Sequence, residues 1–395
     1  MSATEAPPTP TAPESPLTRL TDEQIEELGR EFAAIHDEVF AELGDRDARY
    51  IRSMIELHRR LVVLSRVILL FSRHKPAWIA GTATLSLAKI LENMEIGHNV
   101  MHGQWDWMND PQIHSSKWDW DSASTAEAWK HSHNYVHHTY TNIRGKDRDL
   151  GYEIMRIDPQ QKWHPVYLAQ PLYNLVLMAF FEWGVAFHDL DFEAIRRGEK
   201  SKAQVKRELK GMAGKARTQI VKDYLAFPAL SGRKGFASTL KANFTANVIR
   251  NVWAHAIIFC GHFPDQTYMF TEEEVQDESR GAWFVRQLIG AANIDGSDLF
   301  HFMSGNLSFQ VEHHLYPDMP SSRYKQIAPK VKVVCEKYGL PYNTGPFSKQ
   351  WGSVQRTIIR LAFPGGAPRP KPGPYVAPPP DPSVRLEQQR VPAFP

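Results

Sequence analysis

Gln310-Val311-Glu312-His313-His314-Leu315-Tyr316-Pro317 sets two adjacent imidazoles beside a polar partner at helical spacing. Two earlier stretches share that character: Gly97-His98-Asn99-Val100-Met101-His102 and His133-Asn134-Tyr135-Val136-His137-His138. Residues four apart lie on one helix face, so His98 and His102 can hold one cation, and His133 with His137 likewise. His138 is turned by about 100° from His137, so the doublet addresses two neighbouring positions. Gln310, His313 and His314 repeat the layout at offsets of three and four. Two doublets and a third pair fit a binuclear centre better than a single ion, and imidazole suits iron, zinc or copper.

One H-x-x-x-H arises by chance on a surface or in a core; three such groups in one chain do not read that way. Other metal chemistries fit less well. A zinc protease would show H-E-x-x-H on one helix, and a cysteine-type zinc site needs more than Cys260 and Cys335, which read as two buried free thiols. A bis-histidine haem leaves the tandem doublets without a use.

Working outward, each group lies beside a long apolar run. Residues 61–92 hold two apolar blocks interrupted by Arg66, Arg73, His74 and Lys75. A spanning helix needs about 20 apolar residues, so this stretch predicts a tilted span or a hairpin. Residues 167–187 are the best span, and 240–260 the last, weakened by Lys241 and Arg250. The basic, helix-prone stretch 196–217 predicts a solvated face. Five tryptophans, Trp105, Trp107, Trp118, Trp120 and Trp129, predict an interfacial location. The mean hydropathy of −0.41 puts most of the mass outside lipid, and a net charge of +2 gives no reason to invoke nucleic acid.

Near the start, Thr21-Asp22-Glu23-Gln24 is a capping box. The apolar spacing of Ile25, Leu28, Phe32, Ile35, Val39 and Leu43 then predicts an amphipathic helix packed on the rest of the protein. The chain divides into a disordered tail (1–18), N-terminal amphipathic helices (19–60), a membrane unit (61–345) and a Pro-rich disordered tail (364–395). The first residues do not read as a secretory signal.

The three groups resemble the histidine boxes of the membrane fatty acid desaturase family: H-x-x-x-H, then H-N-x-x-H-H-x-x-T-N completed by Thr141 and Asn142, then Q-[IV]-E-H-H-L-[FY]-P. The pattern is nearest that of bacterial, actinobacterial-type acyl-CoA desaturases. The resemblance implies an all-α integral membrane protein with a cytosolic helical cap carrying a di-iron centre, multi-pass in the cell membrane, with the active site on the cytoplasmic side. It implies two Fe ions on His98, His102, His133, His137, His138, His313 and His314, with O2 as co-substrate and a long-chain acyl-CoA or acyl-lipid as substrate.

Gln310 departs from the simplest pattern, where many members have histidine; a neutral amide binds iron weakly, holds a water, or only hydrogen-bonds. Members also take a ligand from the helix before the third box, and both His255 and His262 qualify, with His262 favoured at the boundary. Glu95, Asp106, Asp147, Asp149, Asn251 and Glu312 are expected to orient the imidazoles. His131 and His301 are expected to be structural or exposed.

Phe363-Pro364-Gly365-Gly366 lacks the histidine of a fused cytochrome b5 domain, so electrons must come from a separate protein, a ferredoxin or a flavin-dependent reductase. The expected reaction is desaturation. A hydroxylase on the same scaffold and a non-catalytic membrane metal-binding protein are the alternatives.

Overall fold

The computed structural model of the chain describes residues 15–378. The tail expectations for 1–14 and 379–395 lie outside those residues. What is described is mostly helical, with one addition to the all-α expectation: strands Asn293–Asp295 and Thr344–Pro346 pair in parallel.

The capping box forms as its chemistry dictates. Thr21 Oγ1 accepts from the Gln24 amide at 3.3 Å, and the Thr21 amide donates to Gln24 Oε1 at 3.0 Å, which satisfies two orphan donors of the Asp22–Ala41 helix. That helix buries Leu28, Phe32, Ile35 and Val39 in a cluster shared with helices Arg280–Gly290 and Tyr324–Tyr338. A Cβ on Gly281 would run into the Ile25 carbonyl, so glycine permits the close crossing.

Helix Asp45–Leu69 continues through the boundary expected at 60, because Arg59 to Leu69 contains no helix breaker. The chain turns over residues 70–74 and returns as Lys75–Ile90, so residues 61–92 make a helical hairpin. The run at 167–187 breaks at Phe180 (φ −119°, ψ 34°) into Gln170–Ala179 and Phe181–His188. The third run lies in a 31-residue helix, Gly232–His262, that packs on Lys75–Ile90 and buries Asn243, Asn247, Arg250 and Asn251. Among the described residues no helix is long and apolar enough to cross a membrane.

Three of the five tryptophans pack inside the protein. Trp105, Trp120 and Trp129 are buried, and Trp129 stacks on His133 with centroids 4.6 Å apart. The C-terminal tail is also tied down further than its composition suggests. Residues 364–378 form neither helix nor strand, yet the Arg156 guanidinium donates to the carbonyls of Phe363 and Gly365 at 3.2 and 3.0 Å. Further on, the Tyr375 amide donates to the Leu340 carbonyl at 2.9 Å.

Candidate metal centre

Four segments carry the histidines to one place. The Lys75–Ile90 helix runs on through a π-helical stretch, Leu91–His98, and ends at His102. A second π-helical stretch, Lys130–His137, carries the second box. The third box is the short helix Gln310–Leu315, and His262 closes the long helix. π-helical turns insert a residue into the α ladder and gather at functional sites.

Ligand atoms of His98, His102, His133 and His313 lie within 4.8 Å of one another, as do those of His137, His262 and His314. His133 and His137 thus fall in different ones of the two larger groups. They were assigned to one face by α-helical spacing, and the under-wound π turn removes that premise. The two rings do meet in a third set with Asp149. His138 lies between the two main groups: its ring stacks on His314 at 4.5 Å and meets His102 and His313 edge-on at 4.8 and 4.9 Å.

The rings are held from outside. Nδ1–H of His137 donates to Asp147 at 3.0 Å, that of His133 to Asp149 at 3.2 Å, and that of His98 to Asn99 Oδ1 at 3.0 Å. His313 donates to the Tyr324 hydroxyl at 3.1 Å and His314 to Gln287 Oε1 at 2.9 Å. Neither amide is free to turn, because the Asn99 NH2 donates to the Glu95 carbonyl and that of Gln287 to the His138 carbonyl. Each bond selects the tautomer that leaves Nε2 facing inward.

Inside, the nitrogens lack partners. Nε2 of His102, His133, His137 and His313, and both ring nitrogens of His138, are buried without a hydrogen bond. The His262 and His314 Nε2 atoms face each other at 3.2 Å, and the Gln310 amide nitrogen lies 3.0 Å from His262, with its own Oε1 unpartnered. Buried acceptors converging without donors are costly, and a cation removes that cost. The residues fit a histidine-bound metal pair.

Electrostatics agree. Burial drives His98 down to about 3 and puts His102, His138, His262, His313 and His314 well below the usual histidine range, so these rings are neutral, as ligands must be. His137 is the exception. Burial pulls it down, but Asp147 and Asp149 outweigh that and raise it to about 9.

Not every expected partner faces a ring. Glu95, pushed up to about 7 by burial, accepts from the Tyr50 hydroxyl at 2.7 Å and from Asn306 at 3.2 Å. Glu312 accepts from Tyr342 at 2.7 Å and Asn293 at 2.8 Å, tying the third box to the strand pair. Asp106 bonds Ser115, and Asn251 donates to the Ala179 carbonyl at 3.0 Å. His255 bonds Asn174 at 3.0 Å and stacks on Phe259, away from both groups. Each satisfies a nearer buried group.

Sequence reasoning missed His188, whose Nε2 donates to Asp149 at 2.9 Å, so that carboxylate bridges it to His133. Its place at the end of an apolar run, like that of His98, was the available signal. The residues after the second box do structural work. Thr141 Oγ1 donates to the His137 carbonyl at 2.7 Å. Asn142 takes φ 60°, a region asparagine tolerates, and its side chain donates to the carbonyls of Tyr268 and Gly290.

Beside the rings lies a cavity whose apolar wall is Met94, Phe181, Val185, Ala254, Ile258 and Leu307, with Glu182, Asp189 and Arg250 also lining it, and which touches His98, His133, His137 and His262. A histidine-bound metal pair against an apolar cavity can act on a hydrocarbon chain.

The fatty acid desaturase model matches residues 76–346, which contain all three boxes. The chain belongs to the fatty acid desaturase family. It is therefore an oxidoreductase acting on fatty acyl chains. It is 48% identical over 351 residues to the NADPH-dependent stearoyl-CoA 9-desaturase of Mycobacterium tuberculosis strain H37Rv, covering 88% of this chain and 82% of the relative; the protein of strain CDC 1551 gives the same figures. It is also 24% identical over 283 residues to the sn-1 linoleoyl-lipid 6-desaturase of Synechocystis, covering 69% of this chain and 77% of that one.

Proposed function

We propose that the protein desaturates a long-chain fatty acyl-CoA, with two Fe ions on the box histidines, O2 as co-substrate and electrons from a separate donor protein. The observation that carries this is the shell of buried, unpartnered imidazole nitrogens facing inward beside an apolar cavity. The name of the mycobacterial relatives supports an acyl-CoA substrate and a reductant fed by NADPH.

His98, His102, His133 and His313 would hold one ion, and His137, His262 and His314 the other, with His138 between them and Gln310 as a weak contact. When bound, such a pair supplies the oxidising power that side chains lack for unactivated C–H bonds. The protein's own part is positional. Asp147, Asp149, Tyr324 and Gln287 fix ring orientation, and the apolar walls keep water from the chain.

The reading places the protein in the cell membrane as a multi-pass protein, with the centre on the cytoplasmic side and residues 61–345 as the working unit. Its support is the exposed apolar surface. Val63, Val67, Phe71, Leu172, Val176 and Leu230 are more than half exposed, and they belong to the two apolar runs and the segment before the third. Contiguous exposed apolar surface marks an interaction face.

The test is purified protein given iron, reductant, a donor reductase and stearoyl-CoA. The expected result is O2 uptake coupled to an unsaturated product by mass spectrometry. An alcohol product would replace the reading with a hydroxylase. Bound metal without O2 uptake would replace it with a non-catalytic metal-binding protein.

A further inference from the structure

Phe263, next to His262, lines both the cavity beside the rings and a second, more open surface cavity. The charged groups of the second are Arg144, Arg360, Arg369 and Lys371 against Asp158 and Asp265. Asp265 is engaged: it accepts from Arg356 at 2.8 Å and from Thr357 at 3.1 Å and pairs with Arg369 at 3.2 Å. Asp158 lies 3.4 Å from Arg144, with its Oδ2 making no hydrogen bond. Two cations are left over. Lys371 donates only to the backbone carbonyls of Asp265 and Thr267. Arg360 spends one NH on the Ala367 carbonyl, and its Nε is buried with no partner.

Arg369 and Lys371 sit on the segment that Arg156 clamps at Gly365 and that Leu340 receives at Tyr375. The Pro-rich chain is thus a strap that carries cations to the cavity. Burial lowers Lys371 to about 8, and Arg360 adds to the shift, against the pull of Asp158 and Asp265.

We propose that this cavity binds the phosphorylated nucleotide end of the acyl thioester, whose acyl chain then passes Phe263 into the apolar cavity beside His262. The assignment rests on the acyl-CoA desaturase reading. Arginine forks and a lysine match phosphate oxygens, and Tyr268, Met269 and Ile157 give the same cavity an apolar wall for the thioester arm. An anionic phospholipid headgroup offers the same phosphate chemistry, so the test must separate the two sources.

The test uses the full-length, iron-loaded enzyme. Equilibrium dialysis measures binding of CoA alone, and steady-state kinetics compare stearoyl-CoA with S-stearoyl-pantetheine, which lacks the nucleotide. The R369E/K371E pair and, separately, Arg360→Ala are expected to weaken CoA binding by about tenfold or more, the scale of a lost charge-assisted contact. Discrimination in kcat/KM between the two thioesters should fall by a similar factor, with iron content unchanged. Arg30→Glu on the exposed N-terminal helix controls for charge alone and should change neither. Equal loss on both thioesters, or unaltered CoA binding, overturns the assignment. So does displacement of CoA by phosphatidylglycerol vesicles but not by phosphatidylcholine vesicles, since the site would then belong to a lipid. Absence of product from any thioester defeats the desaturase reading, while dialysis still judges the cavity.

Discussion

Two buried polar clusters sit in the helical bundle, and they differ in what their inward atoms meet. At Asp223 the carboxylate accepts from Lys89 at 2.7 Å and Arg66 at 3.0 Å, with Asn247 at 3.4 Å. Arg66 reaches on to Asn243 at 2.7 Å and lies over the Phe227 ring at 3.7 Å. In the histidine shell Nδ1 of His98, His133, His137, His313 and His314 is likewise engaged, but Nε2 of His102, His133, His137 and His313 and both ring nitrogens of His138 have no hydrogen-bond partner. The first cluster pairs its charges internally and joins four helical segments. The second is a set of neutral ligand atoms compatible with metal binding. Burial and polarity are common to both, and single unpaired atoms occur in both; the convergence of several unpaired imidazole nitrogens on one another distinguishes the histidine shell.

The largest effect should come from breaking the shell. His137→Ala and His314→Ala should each abolish turnover and lower bound iron, read by product analysis and metal determination. Retention of both properties in either variant would refute the assignment of these rings as ligands.

Next is the closed cluster. Asp223→Ala leaves Arg66 without its carboxylate and Lys89 with only Asp121 at 3.9 Å, which should cost about 3–5 kcal/mol of stability. This would appear as a lowered thermal midpoint in detergent, while iron per folded molecule stays constant. The double change D223L/K89M should recover most of that loss, because apolar replacement of a buried pair is often neutral. Iron loss tracking the Asp223→Ala midpoint would merge the two clusters and remove the distinction.

The outer support of the shell comes third. Asp147→Asn keeps a possible acceptor for His137 but removes the charge that holds its Nδ1 proton. Iron affinity should fall by about 10–100-fold, the usual loss for such a partner, and added iron should restore turnover. Unchanged affinity would mean that backbone packing alone orients the ring.

How far the sequence led follows from which forces are local. The capping box at Thr21 and the apolar stripe of the following helix needed only neighbours in the chain. The three histidine stretches were legible for the same reason, since helical offsets bring ligands together without long-range information. The division of His133 from His137 was not, because the π turn that separates them reflects contacts from other segments. Asp223 gave no sign, because its partners at 66 and 89 come from another hairpin. The strap at 364–378 read as disordered because the guanidinium that fixes it belongs to Arg156, about two hundred residues away.

His301 supplies the smallest effect and the sharpest control. It is a histidine near the third box, on the short helix Asp298–Met303, and composition alone cannot separate it from a ligand. Its Nδ1 pairs with the Ser308 hydroxyl at 2.7 Å, and its ring stacks on Phe309 at 4.5 Å. It joins no convergent group among the described residues. By the rule drawn from Asp223, an imidazole so engaged is structural. His301→Ala should therefore keep most activity and all of the iron, losing about 0.5–1.5 kcal/mol for the hydrogen bond. Iron loss in that variant would show that a histidine outside the convergent groups can serve as a ligand here, and convergence would no longer be the mark of the site.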